Sequence, residues 1–299
     1  MATTTATTTG DSKAPAVNSG PRSRIGRRVW LYVGVAVIAI WCLAPFYWMV
    51  VTAFRDVGYT FDTTPWPTHV TLDNFRTAFD TGRGNHFGRA LFNSLFIGVA
   101  TTAIAMVVGT FAAYALARLH FRGKFLVLGT VLAAAMFPGV ALVTPLFQLF
   151  TNIHWLGTYQ ALILPDISFA LPLTVWILTS FFAEMPWELE QAARIDGCTQ
   201  GQAFRLIILP LAAPGLFTTA ILVFISSWNE YLLSSLMSNG KSAVQPVTVA
   251  IANFTGAQPH QEPYTAVMAA GAVVTVPLVI LVLLFQRRIV TGLTAGAVK

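Results

Sequence analysis

The chain has 299 residues, of which 55% are hydrophobic and only 10% charged, and its mean hydropathy is +0.66. A soluble domain carries about 25% charged residues, so this chain cannot clothe a water-facing surface, and the bilayer is its main solvent. The net charge of +6 invites a nucleic-acid partner, but the cations are distributed as a membrane topology signal, which excludes that role.

The first 28 residues read as a disordered cytoplasmic tail, Thr-, Ala- and Gly-rich over residues 1–20 and without apolar periodicity. The arginines that end it mimic the start of a signal peptide. The apolar run behind them is too long for one, and no small-residue cleavage site follows, so it reads as an uncleaved span. A membrane helix needs about 20 mostly apolar residues. Six segments qualify: Val29–Ala53, Leu91–Ala117, Phe125–Phe150, Tyr159–Ala183, Leu211–Leu236 and Ala266–Phe285. The predicted class is therefore an all-α polytopic membrane protein, with one permease-like domain over residues 29–299. Prolines 45, 138, 145, 165, 172, 214 and 277 fall in these spans, where neighbouring helices satisfy the carbonyls that proline frees, and kinks are expected. Gly109, Ala112, Ala113 and Ala117 suit the second span to close packing.

Basic residues set the orientation. With the N-terminus inside, the tail, the turn after the second span (Arg118, Arg122, Lys124), the loop after the fourth (Arg194, Arg205) and the C-terminal segment (Arg287, Arg288, Lys299) hold thirteen of the 18 Lys and Arg. Only Arg55, Arg76, Arg83, Arg89 and Lys241 fall outside. Both termini are therefore expected in the cytoplasm. Cys42 and Cys198 then lie on different sides of the membrane, which argues against a disulfide.

Two outer segments exceed tight turns. Arg55–Arg89 is polar and aromatic, and Ser238–Pro263 is punctuated by Gly240, Gly256, Pro259 and Pro263. Each reads equally as a solvated loop or as a cap over the outer mouth that meets a partner.

The inner segment Glu184–Pro210 is amphipathic. Pro186 suits a first helical turn, Glu188 and Glu190 complement the helix dipole there, and Gly197 suits a stop. A second short helix is expected over Thr199–Ile208, with Pro210 and Pro214 marking re-entry. Ala192 and Ala193 leave a face bare enough for another protein's groove, and Leu189, Ile195, Phe204 and Leu206 offer apolar contact. A stiff helix pair of this kind passes a push from a soluble motor into the spans. The competing reading is an interfacial helix lying on lipid.

In the fifth predicted span, Glu230 is an ionisable group at membrane depth, which is costly and usually faces a cavity or a partner. With Trp228 and Asn229 beside it, the trio suits a sugar, apolar on its faces and hydroxyl-rich at its rim. The alternative has Glu230 snorkelling to the interface and Trp228 in the aromatic belt. Asp166 is expected at the outer interface and not on substrate. Asn93 serves either a neighbouring helix or a sugar, the helix being favoured.

Other motifs fail. Gly240-Lys241-Ser242 lacks the earlier glycine and the strand of a phosphate loop. Histidines 69, 86, 120, 154 and 260 show no metal spacing, and no catalytic set is apparent. The chain has no means of splitting ATP, and is expected to be a transport subunit and not an enzyme.

The run Glu-Gln-Ala-Ala-Arg-Ile-Asp-Gly at 190–197, with Gln202-Ala203-Phe204 and Leu209-Pro210-Leu211, resembles the EAA loop of ATP-binding-cassette (ABC) importer permeases, the loop that touches the ATPase. Asn93-Ser94, the stretch Phe224–Glu230 and the stretch Gln286–Thr294 are similar to the carbohydrate branch, of the short six-span, maltose permease G type. Ile251–Gly256 and Gly292–Lys299 look like permeases of trehalose import. The resemblance covers residues 29–299. It implies the type I importer permease fold and half of a heterodimeric pore. The implied partners are a homologous second permease, two copies of a cytoplasmic ATPase and an extracytoplasmic sugar-binding protein. No cofactor is implied for the chain itself, since ATP is used by the partner ATPase. It also implies ATPase coupling through Glu190, Gln191, Ala192, Ala193, Asp196, Gly197 and Phe204, and a disaccharide such as trehalose or maltose as substrate. One departure stands out: the motif's glutamate falls at Gln191, so that an amide bonds the ATPase there or Glu190 supplies the charge. Substrate-pathway candidates are Trp228, Asn229, Glu230 and Asn93. The rival functions are a permease for another solute, such as a polyol or glycerol phosphate, and a stand-alone secondary transporter or channel.

Overall fold

The computed structural model describes residues 21–83, 85–254 and 264–295, with side chains over 28–82, 85–254 and 264–285. The predicted disorder of residues 1–20 lies outside the described residues. Among the described residues every element is helical: α1 Pro21–Ala53, α2 Asp73–Phe79, α3 Phe87–Arg118, α4 Lys124–Ala135, α5 Gly139–Asn152, α6 Tyr159–Glu184, α7 Glu188–Ile195, α8 Gln200–Ala203, a π-helical stretch Phe204–Ile208, α9 Leu209–Leu211, α10 Ala213–Trp228, α11 Leu232–Met237, α12 Val247–Ala252 and α13 Tyr264–Ala295, with single 3-10 turns at Val57–Tyr59 and Thr81–Arg83. Helical backbone is already present at Pro21, ahead of the predicted start at Val29.

Residues 21–48 of α1 form one unit, and residues 49–295 hold the packed bundle. Among the described residues four helices are long and apolar enough to cross a membrane unbroken, and two bent helix pairs are long and apolar enough if each pair is taken as one span. The predicted third span is one of them. It breaks at Met136–Pro138, where α4 and α5 meet at 88°. Proline lacks an N–H and pushes the residue before it out of helical conformation, and Pro138 is extended at φ −66°, ψ 116°. The predicted fifth span differs as well. Its entry bends by 72° around Ala212, and α10 stops at Trp228 instead of running on to Leu236.

Helix α3 is the pillar of the bundle and packs chiefly on α6 and α10. Gly109 permits this. A Cβ there would stand 2.4 Å from Thr174 Cγ2 on α6, so the small residue of the second span sets the close approach. Gly215 does the same between α10 and α6, where a Cβ would meet the Phe181 ring at 2.6 Å. At one end of the bundle Phe87, Ala90, Phe224, Trp228, Val247 and Ala270 form a core. At the other, Ala113, Tyr114, Leu178, Phe182, Phe204, Ile208 and Ala212 bind α3, α6 and the α8–α10 segment together.

The segment after α1 is ordered. Arg55 is fully buried, and its guanidinium donates to the carbonyls of Asp62 and Thr64. Asn74 on α2 donates to the Ala53 and Arg55 carbonyls at 2.9 and 2.6 Å. The Asp62 carboxylate accepts from the Thr64 hydroxyl, the Thr64 N–H and the Thr68 hydroxyl at 2.9–3.2 Å. These bonds, the Thr64 hydroxyl first, hold its pKa below the ordinary carboxylate value.

Candidate functional site

The segment between α6 and α10 folds as its sequence suggests. Helix α7 ends in a Schellman turn: Gly197 has φ +90°, its N–H bonds the Arg194 carbonyl at 3.1 Å, and Cys198 N–H bonds the Ala193 carbonyl at 2.9 Å. Thr199 caps α8 in a reciprocal box with Gln202. Two tight elements thus follow each other with one left-handed residue between them.

The seven expected coupling residues divide into two faces. Gln191, Ala192, Asp196 and Gly197 are exposed, together with Ile195 at 85%. Glu190, Ala193 and Phe204 are buried against the bundle. Glu190 is 5% exposed, and its Oε1 accepts a 2.7 Å bond from the Tyr114 hydroxyl of α3. This revises the expectation that Glu190 stands in for the motif glutamate as docking charge, because its carboxylate points into the protein. One turn along α3, Arg118 donates to the Met185 carbonyl at 2.8 Å and lies 4.7 Å over the Trp187 ring. Phe204 packs 4.5 Å from the Tyr114 ring. The inner face is therefore a joint to α3, and the outer face is a free surface with an apolar peak at Ile195.

The four pathway candidates also part company. Asn93 is fully buried. Its amide donates to the Ala243 and Gln245 carbonyls at 3.2 and 2.9 Å, and its oxygen accepts from Tyr159 at 2.7 Å. With Ser94, whose hydroxyl accepts from Val247 N–H at 2.8 Å, it fastens the 243–247 segment to α3. Trp228 lies in the apolar core beside Phe224. Asn229 is exposed, and its amide bonds back to the Ile225 carbonyl. Glu230 lines a cavity. It lies beyond α10 and not within it, and its two oxygens accept the N–H groups of Leu233 and Ser234, each at 2.8 Å.

That cavity, of about 270 Å³, lies among α3, α5, α6, α10 and α11. Asp166 lines it with Glu230. Asp166 is only 7% exposed and accepts a 2.5 Å bond from the Ser227 hydroxyl. It is thus buried within the bundle and paired across it to α10. Its partner lies 61 residues away in sequence, so the pairing left no local signal. An ionisable residue inside a span was the one clue available.

The sequence profile of the family described as binding-protein-dependent transport system inner membrane component matches residues 105–294. The trehalose transport system permease protein SugB of Mycobacterium tuberculosis (strain CDC 1551 / Oshkosh) is 48% identical over 270 residues, which cover 90% of this chain and 97% of that protein. The trehalose/maltose transport system permease protein MalG of Thermococcus litoralis is 42% identical over 281 residues, 93% of this chain and 99% of that one. Among solved structures, a chain of a bacterial ABC transporter involved in the import of the acidic polysaccharide alginate matches with a TM-score of 0.74 at 19% identity, over 92% of this chain and 99% of that chain.

Proposed function

The chain belongs to the family of inner membrane components of binding-protein-dependent transport systems, and on that footing we propose that it imports a sugar, a disaccharide such as trehalose or maltose. Its all-α polytopic fold is that of type I ABC importer permeases, and it is a multi-pass membrane protein and a transport subunit. In this reading it forms half of a pore with a homologous second permease. Two copies of a cytoplasmic ATPase drive the pair, and an extracytoplasmic sugar-binding protein delivers the solute. The chain carries no cofactor of its own, and the ATPase spends the ATP. Both termini face the cytoplasm, which the excess of inner Lys and Arg supports. The relatives named for trehalose and maltose transport support the sugar class.

The two-faced loop carries the proposal. A coupler needs one face for the motor and another welded to the moving helices. Gln191, Ala192, Ile195, Asp196 and Gly197 supply the first, as a short helix end laid into a groove of the ATPase. Glu190, Ala193, Phe204 and Ile208 supply the second, through Tyr114 and the apolar core beneath. Rotation of the motor then moves α3, α6 and α10 as one body.

The test is uptake of radiolabelled trehalose and maltose by proteoliposomes holding the chain with its companion permease, ATPase and binding protein. ATP-dependent accumulation is expected only with all four. Accumulation by this chain alone, or uptake of a polyol or glycerol phosphate in place of a disaccharide, overturns the reading.

A further inference from the structure

We propose that residues 57–70, the stretch that follows α1, form an interfacial anchor lying in the headgroup layer of the bilayer, with lipid as its partner. The stretch connects the end of α1 to α2, and α2 packs on α13. The ring of Phe61 meets the ring of Tyr264, the first residue of α13, edge-on at 5.7 Å. The stretch therefore sits where one long apolar helix ends and another begins, the level at which Trp and Tyr collect in membrane proteins.

Its polarity is the inverse of a water-facing loop. Asp62 and His69 are its only ionisable residues. The Asp62 carboxylate is taken up by Thr64 and Thr68, and His69 stacks on the Tyr59 ring at 3.9 Å. The backbone is served from within as well. Buried Arg55 donates to the Asp62 and Thr64 carbonyls, and the Asp56 N–H donates to the His69 carbonyl at 3.0 Å. The N–H groups of Tyr59 and Asp62 bond the carbonyls three residues back. Internal pairing of this kind is what a backbone needs where water is scarce.

The apolar side chains point the other way. Val57, Tyr59, Phe61, Trp66 and Val70 are all exposed, Phe61 at 82% and Trp66 at 62%. Exposed apolar clusters mark surfaces that meet a protein or a membrane, and two observations favour the membrane. The cluster offers no unbonded carboxylate, ammonium or guanidinium with which to orient a soluble partner. It is also joined to the start of α13 through Phe61 and Tyr264 instead of standing clear of the bundle. Pro65 and Pro67 hold Trp66 between two fixed φ angles, so little freedom is lost when its ring is ordered among headgroups. Beyond the stretch the pattern reverts to that of a water-facing surface: Asp73 and Arg76 pair at 3.1 Å with both side chains largely exposed. The boundary between lipid and water thus falls between Val70 and Asp73.

The experiment uses the complete transporter in phosphatidylcholine nanodiscs. Cys42→Ser and Cys198→Ser clear this chain, the companion subunits are made cysteine-free, and an NBD fluorophore is attached at Phe61→Cys, Trp66→Cys or, as the water-facing control, Arg76→Cys. Quenching by phosphatidylcholine with a nitroxide on its headgroup is compared with quenching by aqueous iodide. At positions 61 and 66 the lipid quencher is expected to act at least about threefold more strongly than at 76, and iodide at least about threefold more weakly. Trp66→Cys probes the layer without touching the Phe61–Tyr264 contact, so a local disturbance at position 61 does not decide the result. The same quenching at all three positions overturns the anchor. Shielding of 61 and 66 from both quenchers also overturns it, in favour of packing on the companion permease. Shielding that appears only when the sugar-binding protein docks overturns it in favour of a protein contact. The transport function stands in each of these cases, since the anchor rests on the membrane helices and not on the solute.

Discussion

Tyr114, near the C-terminal end of α3, donates a 2.7 Å hydrogen bond to Glu190 in the first turn of α7, and both residues are buried. The other carboxylate oxygen of Glu190 has no partner among the described residues. The Glu190 carboxylate is thus held by a single phenol. Tyr114→Phe keeps the ring in its apolar setting and leaves the carboxylate bare, at a cost of about 1–3 kcal/mol. We expect the complex to assemble and hydrolyse ATP while sugar moved per ATP falls severalfold. An unchanged transport-to-hydrolysis ratio would count against the joint.

The outer face of the same loop predicts a different failure. Ala192→Trp and Gly197→Val put bulk where a partner's groove must close, and the second also forces a β-branched residue into the left-handed region, at φ +90°. Capture of the ATPase on the detergent-solubilised permease should fall more than about tenfold, a loss of about 1.4 kcal/mol. The bundle itself should keep its melting temperature with Ala192→Trp, since that side chain is exposed. Undiminished capture by both variants refutes docking at this face.

Gly109→Leu acts on the pillar. Its Cβ alone would stand 2.4 Å from Thr174 Cγ2, so α3 and α6 must separate. Overpacking of this kind costs about 1–3 kcal/mol. A lowered melting temperature of the purified complex is expected, with partial recovery on adding Thr174→Ala. Recovery failing to appear would mean that the two helices are not held apart at this point.

The segment after α1 carries a pH dependence. Asp62 has a depressed pKa in the folded loop, so it contributes order that is present above the ordinary value of 3.8 and is lost as the pH falls through the lower, folded value. Amide exchange at Thr64 should accelerate below pH 3.8, and Asp62→Asn should show that faster exchange at neutral pH. Exchange independent of both would show that the carboxylate does not organise the segment.

How much could be read beforehand depended on range. The stop at Gly197, the cap at Thr199 and the close-packing stripe at Gly109 are written in neighbouring residues, and they fold as that local chemistry dictates. Which side of α7 faces the bundle was not legible. Glu190 and Gln191 are adjacent and both polar, and their opposite fates are decided by Tyr114, 76 residues earlier. The break at Met136–Pro138 escaped for another reason. Hydropathy measures solvent preference and is blind to direction, and proline in a membrane helix signals anything from a slight kink to a right-angle turn. Likewise α10 stops at Trp228 and a new helix starts at Leu232, with the Glu230 carboxylate capping the Leu233 and Ser234 amides, and an apolar count reads straight through that event.

The elbow in the third crossing bears on how the protein is made. Helix α4 has 12 residues and α5 has 14, or about 18 and 21 Å of rise, against a hydrocarbon layer of about 30 Å. Neither arm is long enough to be retained by lipid unaided during synthesis, and no residue of α4 is buried within the chain. This stretch therefore leans on its neighbours to be held at membrane depth.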